Sequence, residues 1–201
     1  VQNLALLNEI VGAQQVAGVD TVAELDTLAR IANAIQTLAN DGTPSPALTA
    51  ADLTAIGLAD VSNSNLSAVL AAIAGKANDG TETQSLSQLQ TLVDGLNTAA
   101  HLLGDFAQTN STGLANAPAP LPDLGAYTAA GVTGVNADNL AAINDALASN
   151  PIQAAQAGTP AGLQAIVDAY KAILAEANDS ANTAGDGTPD ATPTVDPTTA
   201  Q

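Results

Sequence analysis

The chain has no cysteine, methionine or tryptophan, and its aromatic side chains are one phenylalanine, Phe106, and two tyrosines, Tyr127 and Tyr170. Without thiols there is no disulfide framework, no thiolate zinc site and no cysteine nucleophile. Aromatic rings bring the largest buried areas to a core. Here Leu, Ile, Val and Ala must supply it, so each packed unit is expected to be thin and modestly stable, supported by stacked neighbours or bound cations. Basic residues are scarce too. Arg30, Lys76 and Lys171 stand against 20 acidic side chains, for a net charge of −17. Such a field repels phosphate backbones and anionic bilayers, so no nucleic-acid partner is expected. No apolar run reaches the roughly 18 residues that a spanning helix needs, so no membrane insertion is expected. The sequence holds no His-Glu-x-x-His, no Gly-x-Ser-x-Gly and no phosphate-cradling glycine loop. Those patterns would have signalled metal-assisted, acyl-transfer or nucleotide chemistry. No enzymatic activity is expected.

What is present is a pattern that returns. Asn65-Leu66 recurs as Asn139-Leu140, Gly57 as Gly131, Val61 as Val135 and Val93-Asp94 as Val167-Asp168, each 74 residues on. A fixed period points to a repeat architecture. The unit reads as helices over Leu48–Ile56, Asn63–Ala74 and Ser85–Leu102, each with Leu, Ile or Val at helical spacing. Thr21 with Glu24, Thr49 with Asp52 and Ser85 with Gln88 have capping-box spacing, in which the hydroxyl and the N3 side chain each satisfy a free backbone N–H. Thr159 caps the last helix, with Pro160 at its first position, where the missing N–H is harmless. Gly57 suits a left-handed helix end. Val1–Val11 matches the middle helix of the unit, so the sequence is expected to open partway through a copy, as an excerpt of a longer array.

The expected fold is all-α: tandem three-helix bundles of period about 74, joined by Pro/Gly-rich linkers. Residues 1–40 form a partial repeat with the last two helices, 41–47 a linker, 48–103 a full repeat, 104–121 a second linker and 122–178 another full repeat. Residues 179–201 form a disordered or linker tail. Phe106 and Leu114, within the second linker, are expected to dock on the adjacent bundle. Val61 and Val135 are expected to plug the bundle corners, near Leu53 and Tyr127.

Candidate chemistry is sparse. His101, the lone histidine, lies near the end of the third helix on no evident cluster of acids or hydroxyls, and a structural or surface role is expected. Asp94 and Asp168 recur with the period but belong to different bundles, so they are not expected to work as an acid–base pair. The segments Asn40–Thr43, Asn78–Thr81 and Gly185–Asp190 each carry an Asp-Gly pair. Such pairs are first of all turns, and calcium is the alternative, with Asp41, Asp79, Asp186 and Asp190 as candidate ligands.

The run Leu48-Thr49-Ala50-Ala51-Asp52-Leu53-Thr54-Ala55-Ile56-Gly57, then Val61, Asn65-Leu66-Ser67-Ala68-Val69 and Leu89-Gln90-Thr91-Leu92-Val93-Asp94 resembles the helical repeats of giant secreted bacterial surface adhesins and surface-layer-like proteins. The resemblance implies an extracellular or cell-surface structural and adhesive role, as stalk, spacer, biofilm component or self-assembling filament or layer subunit. Its implied partners are neighbouring copies or modules of the same protein. Helix, Gly-x-x-x-Val, Asn-x-x-Ala and a capped Leu-x-x-Leu helix are also similar to the three-helix albumin-binding modules of bacterial surface proteins. Those carry more lysine and some aromatics on the binding helix, which here is the aromatic-free Asn63–Ala74. The alternative reading is therefore a module that binds a host protein or a glycan, with Tyr127 or Phe106 marking an exposed patch.

Overall fold

Local sequence decides where the helices begin. The structure, a computed structural model, describes residues 3–76, 81–109, 121–149 and 151–177. Its helices are α1 (Asn3–Ala13), α2 (Val22–Ala39), α3 (Ala50–Ala55), α4 (Leu66–Ala74), α5 (Leu86–Thr109), α6 (Leu124–Ala129), α7 (Leu140–Leu147), α8 (Ala154–Ala157) and α9 (Pro160–Ala177), with a 3₁₀ turn at Val16–Gly18. Among the described residues there is no strand, so the fold is all-α. The Glu24 N–H donates to the Thr21 hydroxyl, while the Thr21 N–H and hydroxyl donate to the Glu24 carboxylate at 3.0 and 2.8 Å. Thr49 and Asp52 repeat the exchange at the start of α3. At α5 the Gln88 N–H donates to Ser85 Oγ and the Ser85 N–H to Gln88 Oε1, both at 3.1 Å. Each such cap contributes about 1 kcal/mol.

Helix ends are set by left-handed residues. After α3, Gly57 has φ +94°, and the Leu58 N–H donates back to the Leu53 carbonyl at 3.2 Å. After α6, Gly131 has φ +71°, and the Val132 N–H donates to the Tyr127 carbonyl at 2.9 Å. Both are Schellman closures, which satisfy carbonyls the helix would otherwise leave open.

The contacts divide the chain into two compact units, with the boundary between Asn97 and Thr98, inside α5. The first unit buries Leu6 and Ile10 of α1, Ile31 and Ile35 of α2, Leu53 of α3, Val69 and Ile73 of α4, and Leu89 and Val93 of α5. Each buried aliphatic side chain contributes roughly 1.5–3 kcal/mol. Polar ties cross the same unit. Leu86 N–H donates to the Glu9 carboxylate at 2.8 Å, and buried Gln36 Nε2 donates to the Thr83 carbonyl at 2.9 Å. The second unit buries Leu103 and Ala107 of α5, Tyr127 of α6, Ile143 and Leu147 of α7, and Leu163, Val167 and Tyr170 of α9. As the spacing suggested, Val61 and Val135 pack against the clusters that hold Leu53 and Tyr127 respectively.

Two expectations about the helices differ from the structure. The third helix of the first full unit, read as Ser85–Leu102 with a linker from Gly104, continues as α5 to Thr109. Gly104 is no stop signal here. A Cβ on it would lie 2.7 Å from the Gly158 Cα and 3.0 Å from the Gly158 nitrogen. The glycine permits a close backbone approach within the second unit. Phe106 accordingly sits on a helix, half-buried against the second core. The second difference is α8, a single helical turn that the sequence pattern did not indicate. Leu114, the 179–201 tail and most of the expected linker at 104–121 lie outside the described residues.

Candidate functional site

The sequence-named residues do not converge. His101 is exposed on α5. Asp94 and Asp168 are exposed on α5 and α9, and each accepts a hydrogen bond from the glutamine one turn earlier, at 2.7 Å from Gln90 Nε2 and 2.9 Å from Gln164 Nε2. They fall in different units. Asp41 is the left-handed residue that ends α2, with φ +57°. Its N–H donates to the Leu38 carbonyl at 3.2 Å, and the Gly42 N–H donates to the Thr37 carbonyl at 2.8 Å. That is a turn function for the first Asp-Gly pair. Asp79, Asp186 and Asp190 lie outside the described residues. No group of three or more metal-ligating side chains occurs among the described residues.

What the sequence singled out only in part is a polar corner, built once in each unit. In the first, the Ala59 N–H donates to Gln90 Oε1 at 2.8 Å, and Gln90 Nε2 returns to the Ala59 carbonyl at 3.3 Å. Buried Asn65 accepts from the Ser62 N–H at 2.8 Å and donates to the Asp60 carbonyl at 2.7 Å. In the second, the Thr133 N–H donates to Gln164 Oε1 at 2.8 Å, and Gln164 Nε2 returns to the Thr133 carbonyl at 3.1 Å. Buried Asn139 accepts from the Asn136 N–H at 2.8 Å and donates to the Gly134 carbonyl at 2.9 Å. Asp60 and Gly134 both have positive φ, +57° and +86°. These amides satisfy backbone groups that the tight connector takes out of helices. They hold the connector; they offer no nucleophile and no general base. The glutamine signal was legible in principle, because Gln90 and Gln164 each stand four residues before a recurring aspartate.

The remaining electrostatic features are structural in geometry. Arg30 on α2 donates to Asp52 on α3, and their side chains are 35% and 15% exposed. Burial pushes the Asp52 carboxyl up. The hydroxyl and N–H of Thr49 and the Arg30 guanidinium together outweigh that and hold it below its ordinary value. The hydroxyl and then the N–H of Thr21 lower Glu24 in the same way. Tyr127, named as a candidate exposed aromatic, is 1% exposed instead. Its hydroxyl donates to Asn144 Oδ1 at 2.6 Å, and Asn144 Nδ2 donates to the Pro122 carbonyl at 2.8 Å. Burial raises its phenol pKa. The ring is interior because its one polar atom finds a partner there.

The second unit also carries an open apolar groove of about 640 Å³, lined by Ala142 and Ala146 of α7, Ile152, and Ile166, Tyr170 and Ile173 of α9. Ile173 is 54% exposed in it. Among the described residues, no helix is long and apolar enough to cross a membrane. Compared with known protein families, curated proteins and solved structures, the chain matches none.

Proposed function

We propose that the chain is a tandem helical repeat region with a structural role: a stalk, spacer or self-assembling subunit of a large extracellular protein at a bacterial surface. The observation that carries this reading is the polar corner. Helices begin at Ala50, Leu66 and Leu86, and again at Leu124, Leu140 and Pro160. Between them the bonds Gln90–Ala59, Gln90–Asp94, Asn65–Ser62 and Asn65–Asp60 recur at Gln164–Thr133, Gln164–Asp168, Asn139–Asn136 and Asn139–Gly134. Every pair keeps the 74-residue offset. Duplicated connectors support a repeated unit. The partner is then the neighbouring module or copy of the same protein, and the chain has no catalytic part. Sedimentation across a concentration series, with and without calcium, tests assembly; a monomer at every concentration leaves the stalk or spacer role and removes the self-assembling one.

A second reading, a module that binds a host protein or a glycan, is favoured by the apolar groove between α7 and α9. Serum pull-down and a glycan array separate the two. The spacer role predicts no saturable ligand, whereas a binding module predicts one that is lost on Ile173→Asp.

A further inference from the structure

Five hydroxyl side chains stand directly before a proline: Thr43, Ser45, Thr159, Thr188 and Thr192. Thr188 and Thr192 lie outside the described residues. Thr159 is a helix cap: its Oγ1 accepts the Gly162 N–H at 3.2 Å, and the residue is half-buried. Helical threonines turn their hydroxyls onto their own backbone. Thr27, Thr54, Thr91 and Thr128 each donate to the carbonyl four residues earlier, at 2.8–3.0 Å. Thr43 and Ser45 differ from both groups. They are exposed, they lie outside any helix, and neither hydroxyl bonds to another described residue.

The segment that carries them is held in place. The Gly42 N–H donates to the Thr37 carbonyl at 2.8 Å, and a Cβ on Gly42 would lie 2.7 Å from Thr37 Cγ2, so the chain leaves α2 by lying against it. Pro44 and Pro46 each fix one backbone angle, and Leu48 beyond them is buried. A residue before proline is kept away from helical backbone. The two hydroxyls therefore stand on irregular surface backbone, where a modifying enzyme has access. Ser and Thr beside proline are also the composition of O-glycosylated stalks.

Between this segment and α2 runs a cleft of about 570 Å³, lined on the helix side by Asp26, Arg30, Asn33 and Thr37 and on the other by Thr43 to Pro46. Asp26 only accepts hydrogen bonds and Arg30 only donates them, while Asn33 and Thr37 do both. Arg30 is fixed by its bond to Asp52. Ala29 and the two proline rings add apolar surface. A sugar ring has the matching chemistry, with hydroxyls that donate and accept around a C–H face. A phosphoryl group does not match. It only accepts, and it would add a charge of about −2 beside Asp26 in a chain already at −17.

We propose that Thr43 and Ser45 are O-glycosylation sites, and that the first sugar, once attached, lies in the cleft along α2. In the transfer, the hydroxyl oxygen bonds to the anomeric carbon of a sugar activated as a diphosphate ester. The bond from that carbon to the diphosphate oxygen breaks, and its electron pair leaves with the diphosphate. The hydroxyl proton passes to a base of the transferase. This chain supplies the acceptor and the seat, and the inference does not depend on the repeat reading.

The test uses the full chain isolated from the cells that produce it. Peptide mass mapping with electron-transfer fragmentation is expected to find whole sugar residues on Thr43, Ser45 or both, and none on Thr159. The double substitution Thr43→Val with Ser45→Ala removes them from that peptide and leaves the circular dichroism native, since neither side chain is buried. Magnetic resonance then locates the sugar. The Asn33 side-chain amide and the Thr37 backbone amide are expected to shift between the natural chain and the same sequence synthesised without sugar transferases. A bare peptide at residues 43–46, a phosphoryl mass there, or sugars confined to Thr159 or to residues 179–201 would overturn the proposal. Unmoved Asn33 and Thr37 signals beside a glycosylated loop would overturn the cleft as the seat of the sugar.

Discussion

Gly104 and Gly95 lie nine residues apart on α5, and alanine at the two positions should act in opposite directions. A Cβ at Gly95 meets nothing within 4 Å, so Gly95→Ala removes only the conformational freedom of glycine. That should stabilise by about 0.5–1 kcal/mol. A Cβ at Gly104 meets the Gly158 Cα at 2.7 Å, the Gly158 nitrogen at 3.0 Å and the Ala157 carbonyl carbon at 3.4 Å. All three atoms are backbone, and none can swing aside as a side-chain tip would. Overpacking costs about 1–3 kcal/mol, and rigid neighbours place this case near the top of that range. After the helix-propensity gain of about 1 kcal/mol, Gly104→Ala should lose about 2 kcal/mol. The two variants should then differ by about 3 kcal/mol in urea unfolding and by on the order of 10 °C in Tm. If Gly104→Ala stabilises as Gly95→Ala does, α5 does not make the close approach to the turn after α8.

Asn65→Ala and Asn139→Ala should each cost about 1–3 kcal/mol, since each leaves connector groups unsatisfied; values within about 1 kcal/mol of each other in chemical denaturation mark equivalent positions. Tyr127→Phe should cost about 1 kcal/mol and Asn144→Leu more, because the latter strands both the phenol and the Pro122 carbonyl; a double-mutant cycle with a zero coupling term would contradict the bond. Asp52 and Glu24 have folded-state pKa values below their unfolded values. Their contribution is therefore complete above about pH 5 and is lost as pH falls through the folded values. Asp52→Asn should make the acid loss of Tm shallower, and an unchanged pH profile would refute it. Titration with millimolar calcium should give no heat and no shift in melting; a saturable signal removed by Asp41→Asn would assign that loop to cation binding.

Much of the helical order was legible because its causes are local. Thr21 with Glu24, Thr49 with Asp52, and Gly57 are readable from spacing alone, since cap and partner sit within one turn. The misread stretch was set by a distant neighbour. Gly104 looks like a breaker until Gly158 is placed against it. Tyr127 looks like a surface aromatic until Asn144, 17 residues on, supplies an acceptor. The glutamines of the polar corner reach connectors 31 residues away, a separation that periodicity does not reveal. The candidate chemistry was thin in the sequence for a related reason. Among the described residues its aspartates sit beside local backbone and amide groups, as Asp41 does at the end of α2 and Asp168 beside Gln164.

One transplant bears most directly on whether the two corners are the same object. Residues Ala50–Ser62, with α3 and its connector, would replace Leu124–Asn136, and the helix content and unfolding cooperativity of the chimera would be followed by circular dichroism. Interchangeable units predict native helix content and a single sharp transition for the second unit, weakened by the loss of the Tyr127 ring with its hydroxyl bond and of the two N–H bonds that Asn136 Oδ1 accepts. A second unit that unfolds or melts without cooperativity, while the first remains intact, would contradict a repeated module.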